Sequence, residues 1–436
     1  MAVIYVPEGG DVVDLASGDV AYGSAKNDVI FGGLSGNVIY GGGGDDIIGV
    51  SSESVAFGGE GSDTLEAWEG TRSELHGGPG DDRLASYGNE GARLFGNEGN
   101  DILSVYGTST VVVDGGSGNN TLKIVDVSGE NLEWRFQDGG GTQNLGNVSF
   151  SNIQNISLYI DANESVIHGG SGNDTIVGIY GDHIFYGEGG DDFLDAGEGR
   201  GYLDGGAGND KIVVRVGGYG ADGGAGIDTV VLQPTIYSDT YTLNQREGYL
   251  GEDTYITGFE ALEWQGGWGN DVVHGGNYSD RLDGGTYGND SLYGEGGNDV
   301  LTGGYYGDDR LFGGDGNDTI SGALFAGKDW IVGGRGSDTM TGAGGNDKFV
   351  FSASDMRKGD RDVITDFSAG DLILTTSKIR DGNGDGIISF GANRHLDYGA
   401  GTVEIRDGAG GTVTSLAYVG TETNAGVSYY VYSLHD

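Results

Sequence analysis

Gly58-Gly59-Glu60-Gly61-Ser62-Asp63-Thr64-Leu65-Glu66 reads G-G-x-G-x-D-x-U-x, where U is a large apolar residue. The nonapeptide returns at 41–49, 77–85, 169–177, 205–213, 223–231, 266–274, 313–321 and 333–341, with looser copies at 96–104, 187–195 and 294–302. One copy would signify little. A dozen make a repeat architecture the first reading. Glycines permit the left-handed backbone of a tight turn and leave its carbonyls free to face an ion. The sixth-position Asp adds a hard anionic oxygen, and Ca²⁺ takes six to eight such oxygens from carboxylates and carbonyls. The U residue falls two positions later, on a short strand with its side chain inward. Each turn and strand is half a coil, so two make a coil of about 18 residues.

On these residues the chain resembles the RTX (repeats-in-toxin) family of secreted calcium-binding proteins, over residues 23 to 350 and into the C-terminal segment. The resemblance implies an all-β, right-handed parallel β-roll or β-helix solenoid that folds with Ca²⁺. It also implies export by type I secretion machinery without a cleaved N-terminal signal. The position-six residues carried over as ligands are Asp46, Asp63, Asp82, Asp101, Asp174, Asp192, Asp210, Asp228, Asp271, Asp299, Asp318 and Asp338.

Composition fits an ion-stapled coil. The 436 residues hold 93 glycines, no cysteine and a formal charge of −45. Such a field repels phosphate, which argues against nucleic acid or an anionic membrane as partner. Like charges 5 Å apart repel by about 1 kcal/mol in water, and by more where water is scarce. Without disulfides, calcium is the available staple. The start, Met1-Ala-Val-Ile-Tyr-Val-Pro-Glu, lacks the basic and apolar regions of a cleaved signal. No apolar run is long enough for a membrane span. Together with the resemblance, this points to an extracellular or cell-surface location.

The chain divides as an N-terminal cap (1–22), a first repeat block (23–125), an insertion (126–163), a second block (164–231), a second insertion (232–262), a third block (263–350) and a β-rich cap with the export-signal region (351–436). The insertions resemble each other. Phe150, Ile153 and Ile156 align with Ile256, Phe259 and Leu262. Both read as projecting β-hairpins that wall a cleft. In the third block calcium-type turns fall on both edges, some with an inserted aromatic (Tyr287, Tyr306, Phe325). In the last segment Asp381, Asn383 and Asp385 form a D-x-N-x-D-G calcium loop, with Ala392 where a bidentate Glu would stand.

Strong turns alternate with degraded ones in the first two blocks, so one edge binds calcium and the other is free for different work. The degraded turns carry Trp68, Tyr87 and Tyr106, with Arg72 and Arg93 in the same turns, then Tyr180 with His183, Arg200 with Tyr202, and Arg215 with Tyr219. Stacked rings at every coil can simply stabilise the edge. Aromatics interleaved with arginine also suit acidic polysaccharide, through ring stacking and guanidinium–carboxylate pairs. Trp68, Tyr87, Tyr106, Tyr180 and Trp268 are the candidate sugar contacts. His183, Arg200, Arg215 and Tyr219 are the candidates for lyase chemistry, the arginines neutralising a uronate while His or Tyr moves the proton. His76, His168 and His274 sit just before Gly-Gly, an outward slot that needs no function.

No H-E-x-x-H and no G-x-S-x-G occurs, which disfavours metalloprotease and lipase. The expected function is calcium-dependent binding, with or without cleavage, of extracellular acidic polysaccharide. This plan is loosely similar to RTX-type exopolysaccharide glycanases. The other class is a non-enzymatic surface-layer, adhesion or matrix protein.

Overall fold

The computed structural model describes residues 2–7, 12–129, 132–137, 142–216, 219–234, 242–243, 248–250, 254–325, 327–381, 385, 387–390, 396–398, 401–407 and 409–435. All regular elements among them are strands, and no helix is long and apolar enough to cross a membrane. The protein is all-β, a parallel β-solenoid in plan, and it divides into two compact units. The first comprises Met1–Ile212 with Gly218–Gly226, the second Val213–Gly217 with Ile227–Asp436.

In the first unit the chain alternates between two parallel sheets. Val38–Gly43, Val55–Glu60, Glu74–Pro79 and Ala92–Glu98 stack in one. Ile47–Val50, Thr64–Ala67, Arg83–Tyr87 and Ile102–Tyr106 stack in the other. The U residues do the packing: Ile48, Leu65, Leu84 and Leu103 are buried opposite Ile39, Ala56, Leu75 and Leu94. Full burial of a Leu or Ile side chain is worth about 1.5–3 kcal/mol. One row per coil therefore makes a continuous thin core.

The first insertion is woven into the roll at both ends. Thr121–Gly129 pairs in parallel with Asn155–Ala162, so the second sheet runs through it. Val148–Ser151 extends the first sheet and takes Gln143–Leu145 as an antiparallel edge, while Leu132–Arg135 starts a new sheet on Glu164–Gly170. The second insertion repeats this inside the second unit. Thr229–Pro234 pairs with Ala261–Gln265, Thr242–Leu243 starts a sheet on Val272–Gly276, and Gly248–Leu250 forms a hairpin with Thr254–Thr257. The described strands of both insertions thus lie within the sheets, where projecting hairpins were expected. The reason is apolar content: Phe150, Ile153, Ile156, Ile256, Phe259 and Leu262 are all buried.

The second unit stacks Val272–Gly276, Ser291–Gly296, Arg310–Asp315, Trp330–Arg335, Lys348–Phe351 and Leu372–Thr375 in parallel. Val427–Leu434 then pairs antiparallel on Leu372–Thr375 and brings Ser415–Asn424 with it. An open parallel edge invites pairing with other chains, and these antiparallel strands close it. Tyr432 is fully buried there, and its hydroxyl oxygen accepts the Ile379 N–H at 2.8 Å.

Candidate metal centre

Every sixth-position Asp named from the sequence is 0–3 % exposed, so none is a solvated turn carboxylate. The glycines let the turn fold inward far enough to bury it. In ten of them (Asp46, Asp63, Asp82, Asp101, Asp174, Asp192, Asp210, Asp299, Asp318 and Asp338) Oδ1 accepts the backbone N–H of the residue in register one coil earlier, which is Ile156 for Asp174. Asp28 N–H donates to Asp46, Asp46 to Asp63, Asp63 to Asp82 and Asp82 to Asp101, all at 2.7–2.9 Å. The result is a line of carboxylates, one per coil.

The other oxygen is different. Oδ2 of Asp46, Asp63, Asp82, Asp101, Asp192, Asp290, Asp309, Asp318 and Asp338 is buried with no hydrogen-bond partner. It faces the first glycine of its own turn. A Cβ on Gly58 would strike both Asp63 Oδ2 and the Gly77 carbonyl of the next coil, and Gly77 and Gly96 repeat this geometry. A carboxylate oxygen and a carbonyl oxygen therefore converge where only glycine leaves room. This is an oxygen-donor set suited to Ca²⁺. Among the described residues no three acidic or imidazole side chains gather into a metal cluster, so backbone carbonyls would supply the remaining donors. When bound, the ion supplies the positive charge between coils that the buried carboxylates need.

Burial pushes these acids far above the ordinary carboxylate range. It raises Asp46 and Asp82 to about 7, and Asp192, Asp290, Asp309 and Asp338 to about 8, with neighbouring ladder acids adding to the rise. Backbone hydrogen bonds pull the other way and are outweighed.

The second unit has two such ladders. One runs Asp271, Asp290, Asp309, Asp329, Asp347 and Asp371, the other Asp280, Asp299, Asp318, Asp338 and Asp362. Asp28, Asp280, Asp290, Asp309, Asp329, Asp347, Asp362 and Asp371 were not on the sequence-derived list. Inserted residues in Gly284-Gly-Thr-Tyr-Gly-Asn-Asp290 and Gly303-Gly-Tyr-Tyr-Gly-Asp-Asp309 move the acid off position six. For Asp28, Asp290, Asp309 and Asp347 an Asn-Asp or Asp-Asp pair before a strand was the signal, while Asp280, Asp329, Asp362 and Asp371 follow Ser, Lys, Arg and Gly and carry no such mark. In the first unit Asn120 and Gln154 interrupt the ladder, through Asp101 N–H to Asn120 Oδ1 and Asn120 N–H to Gln154 Oε1. Of the last predicted loop, Asn383 lies outside the described residues, and Asp385 accepts the Ile387 N–H.

The degraded edge of the first unit is closed without charge repetition. Asn37 Oδ1 accepts the Asp19 N–H, its side-chain amide donates to the Leu34 carbonyl, and its backbone N–H donates to Ser54 Oγ; Asn89 bridges Ser73 and the Trp68 carbonyl. His183 holds an equivalent place. It is 0 % exposed, its Nε2 lies 2.8 Å from the Tyr180 carbonyl, and its ring stacks on Phe185. The i−3 carbonyl contact is the one Asn37 makes. Burial lowers its pKa, so it is a neutral plug.

Arg200 lies beside His183 on the next coil: the Arg200 carbonyl accepts the His183 N–H at 3.0 Å, and the exposed Arg200 lines one shallow concavity with His183 and Tyr202. Tyr180 is exposed, and Arg215 belongs to Lys211–Val216. The Tyr219 side chain lies outside the described residues. Trp68 folds back on Phe31, and Tyr87 and Tyr106 stack on each other at 4.6 Å. Arg72 pairs with Glu53 and Arg93 with Glu74. Ring faces and guanidinium charges on this edge are thus largely engaged internally. The histidine slot is structural: Tyr5, Tyr22, Tyr40, Phe57, His76 and Phe95 form a stacked row, His168 stacks on Tyr186, and His274 on Tyr293.

Trp268 lies elsewhere, exposed in the second unit within a calcium turn. It stands edge-on to Tyr287 (84°), which begins the stack Tyr287, Tyr306, Phe325 at 5.3–5.4 Å.

The RTX calcium-binding nonapeptide repeat matches at 15–48, 87–107, 165–178, 168–203, 178–212, 265–286, 285–304, 304–324 and 325–353. Fold, ladder and motif agree, and the chain belongs to the RTX calcium-binding repeat family. It is a calcium-binding repeat protein. No curated protein matches it. RTX repeat proteins are typically secreted.

Proposed function

We propose that this protein is an extracellular, calcium-assembled binding roll that holds acidic polysaccharide, and that it acts without cleaving it. The observation that carries the reading is the exposed aromatic row Trp268, Tyr287, Tyr306 and Phe325, set into the tips of calcium turns. Contiguous exposed apolar side chains, as opposed to scattered single ones, mark interaction sites. Because Tyr287, Tyr306 and Phe325 cover one another's faces, Trp268 offers the open face for a sugar ring, and the stack behind it holds it in place. The row forms only when its turns close, so binding requires calcium. Export by a type I route follows from the family resemblance.

Cleavage has less support, since His183 is sealed inside and two of the degraded edge's arginines, Arg72 and Arg93, are ion-paired. The test is affinity electrophoresis on acidic and neutral polysaccharides in calcium and in EGTA, with Trp268→Ala alongside. Retardation that vanishes in EGTA and weakens at least fivefold in Trp268→Ala is expected, with no rise in unsaturated-uronate absorbance. Calcium-triggered crystalline self-assembly without retardation by any glycan would instead indicate a surface-layer role.

A further inference from the structure

The row of turns that carries the exposed aromatics leads directly into a groove that holds Arg310, Lys328 and Lys348. Arg310, Trp330 and Lys348 are consecutive partners across three parallel strands, so their side chains stand in line on the outer face of the sheet. Lys328 lies at the turn-side rim. The tip of the C-terminal hairpin, with Glu422 and Asn424, forms the opposite wall. That wall is fixed by packing: Val350, Leu374 and Val431 form a buried cluster beneath the hairpin, with Trp330 and Tyr429 against it. Trp330 meets Tyr429 edge-on at 77°.

The charge distribution here is unusual. The chain has 22 basic residues against 67 acidic ones, and three cations line this concavity beside four acids: the buried ladder residues Asp290 and Asp309, whose charge a bound ion offsets, Glu422, which is paired with Lys348, and the exposed Asp308. Lys348 Nζ is held by Glu422 at 2.6 Å and lies 5.9 Å from the Trp330 ring centre. Arg310 and Lys328 are exposed, and among the described residues neither enters an ion pair. Two uncommitted cations beside an indole, in a walled groove, are what a carboxylate-bearing pyranose requires. The guanidinium takes the carboxylate in a fork, the ammonium adds a point charge, and the indole supports the ring.

We infer that this groove is the uronate-reading site of the protein, with Arg310 and Lys328 holding the sugar carboxylate and Trp330 its ring. The inference rests on the polysaccharide reading above and supplies its selectivity for acid. Tyr306 precedes Arg310 by four residues and Phe325 precedes Lys328 by three, so a polymer on the aromatic row continues into the groove along the same turns.

The test uses the full chain in calcium and two short probes of equal length, an oligoglucuronate and a neutral cello-oligosaccharide, titrated by calorimetry. The parent should bind the acidic probe at least tenfold more tightly. Arg310→Ala/Lys328→Ala should abolish that preference, leave neutral-probe affinity within twofold, and keep the calcium-loaded circular dichroism. Lys348→Ala, which breaks the Glu422 pair, should change the preference less. Equal acidic-probe affinity in parent and double variant overturns the groove. Equal affinity of the parent for both probes overturns it too, while leaving the aromatic-row reading standing. A parent that binds neither probe overturns both.

Discussion

The first unit closes one edge with buried aspartates and the opposite edge with amides and hydroxyls. The second closes both edges with aspartates. Coil geometry and core are alike in the two, so what differs is how the turns are held. Asn37 and Asn89 satisfy their neighbours with neutral hydrogen bonds, available in any solution. Asp290, Asp309, Asp318 and Asp338 satisfy one neighbour and leave a buried charged oxygen without a partner. An unpartnered charge in low dielectric is costly. The same repeat is thus self-sufficient where it carries Asn or Ser, and conditional on an ion where it carries Asp.

The largest expected effect follows from removing calcium. Hydrogen exchange in graded EGTA should show peptides from 263–350 losing protection at higher free calcium than peptides from 23–125. Simultaneous loss would mean that edge chemistry does not set calcium demand. A chain with unchanged strand content and melting point in EGTA would refute the metal role altogether.

Next in size is a glycine comparison. Gly58→Ala places a methyl group against Asp63 Oδ2 and the Gly77 carbonyl, whereas a Cβ on Gly18 meets nothing within 4 Å. Gly58→Ala should cost more than about 3 kcal/mol in calcium and weaken the adjoining sites. Gly18→Ala should cost only the left-handed backbone strain, about 1–2 kcal/mol, at φ 77°. Calcium-dependent melting of both variants measures the difference.

The pH dependence has a definite sign. Burial raises Asp290 and Asp309 to about 8 from the model-compound value of 3.8. Between those values the folded roll binds more protons than the unfolded chain, so its calcium-free stability falls as pH rises through that window. In EGTA, lowering the pH from 8 to 5 should therefore recover strand signal, most in the second unit. Asp309→Asn sharpens the point, because its carbonyl oxygen can still accept the Asp290 N–H while the charge is gone. It should raise the melting temperature in EGTA and lower it in calcium. A shift of the same sign in both would contradict the charge argument.

The smallest effect belongs to the neutral edge. His183→Asn should retain the Tyr180 carbonyl contact and fold as the parent does, while His183→Ala should lose about 1–3 kcal/mol, equally with and without calcium. A calcium-dependent loss would place His183 in the metal machinery.

Much of this was legible in the sequence because the motif is local. Gly58 to Leu65 holds a turn, a ligand and a core residue within eight positions, so each copy announces its own half-coil. What is not local was missed. The acid in Gly303-Gly-Tyr-Tyr-Gly-Asp-Asp309 joins the ladder only because strand pairing aligns it with Asp290, and pairing overrides counting. The 19-residue aromatic period at Tyr87 and Tyr106 was visible, but whether rings face solvent or one another depends on torsions that spacing does not encode. The insertions were recognisable as a duplication through Phe150, Ile153 and Ile156. Those same apolar residues draw the strands into the sheets. Equivalence extends further than the apolar pattern: Gln154 accepts Asn120 N–H as Glu260 accepts Asp228 N–H, an amide in one copy and an acid in the other.

The ladder bonds have a direction. In the second unit's ladders each aspartate N–H is held by the carboxylate of the following coil, and the last acceptors, Asp362 and Asp371, are supplied by the C-terminal segment. A coil is therefore finished by its successor, as in any array whose repeats couple only to their nearest neighbours. The C-terminal segment thus holds the last rungs of both ladders, and a chain clipped ahead of Asp362 would leave the Asp338 and Asp347 N–H groups without the carboxylates that accept them.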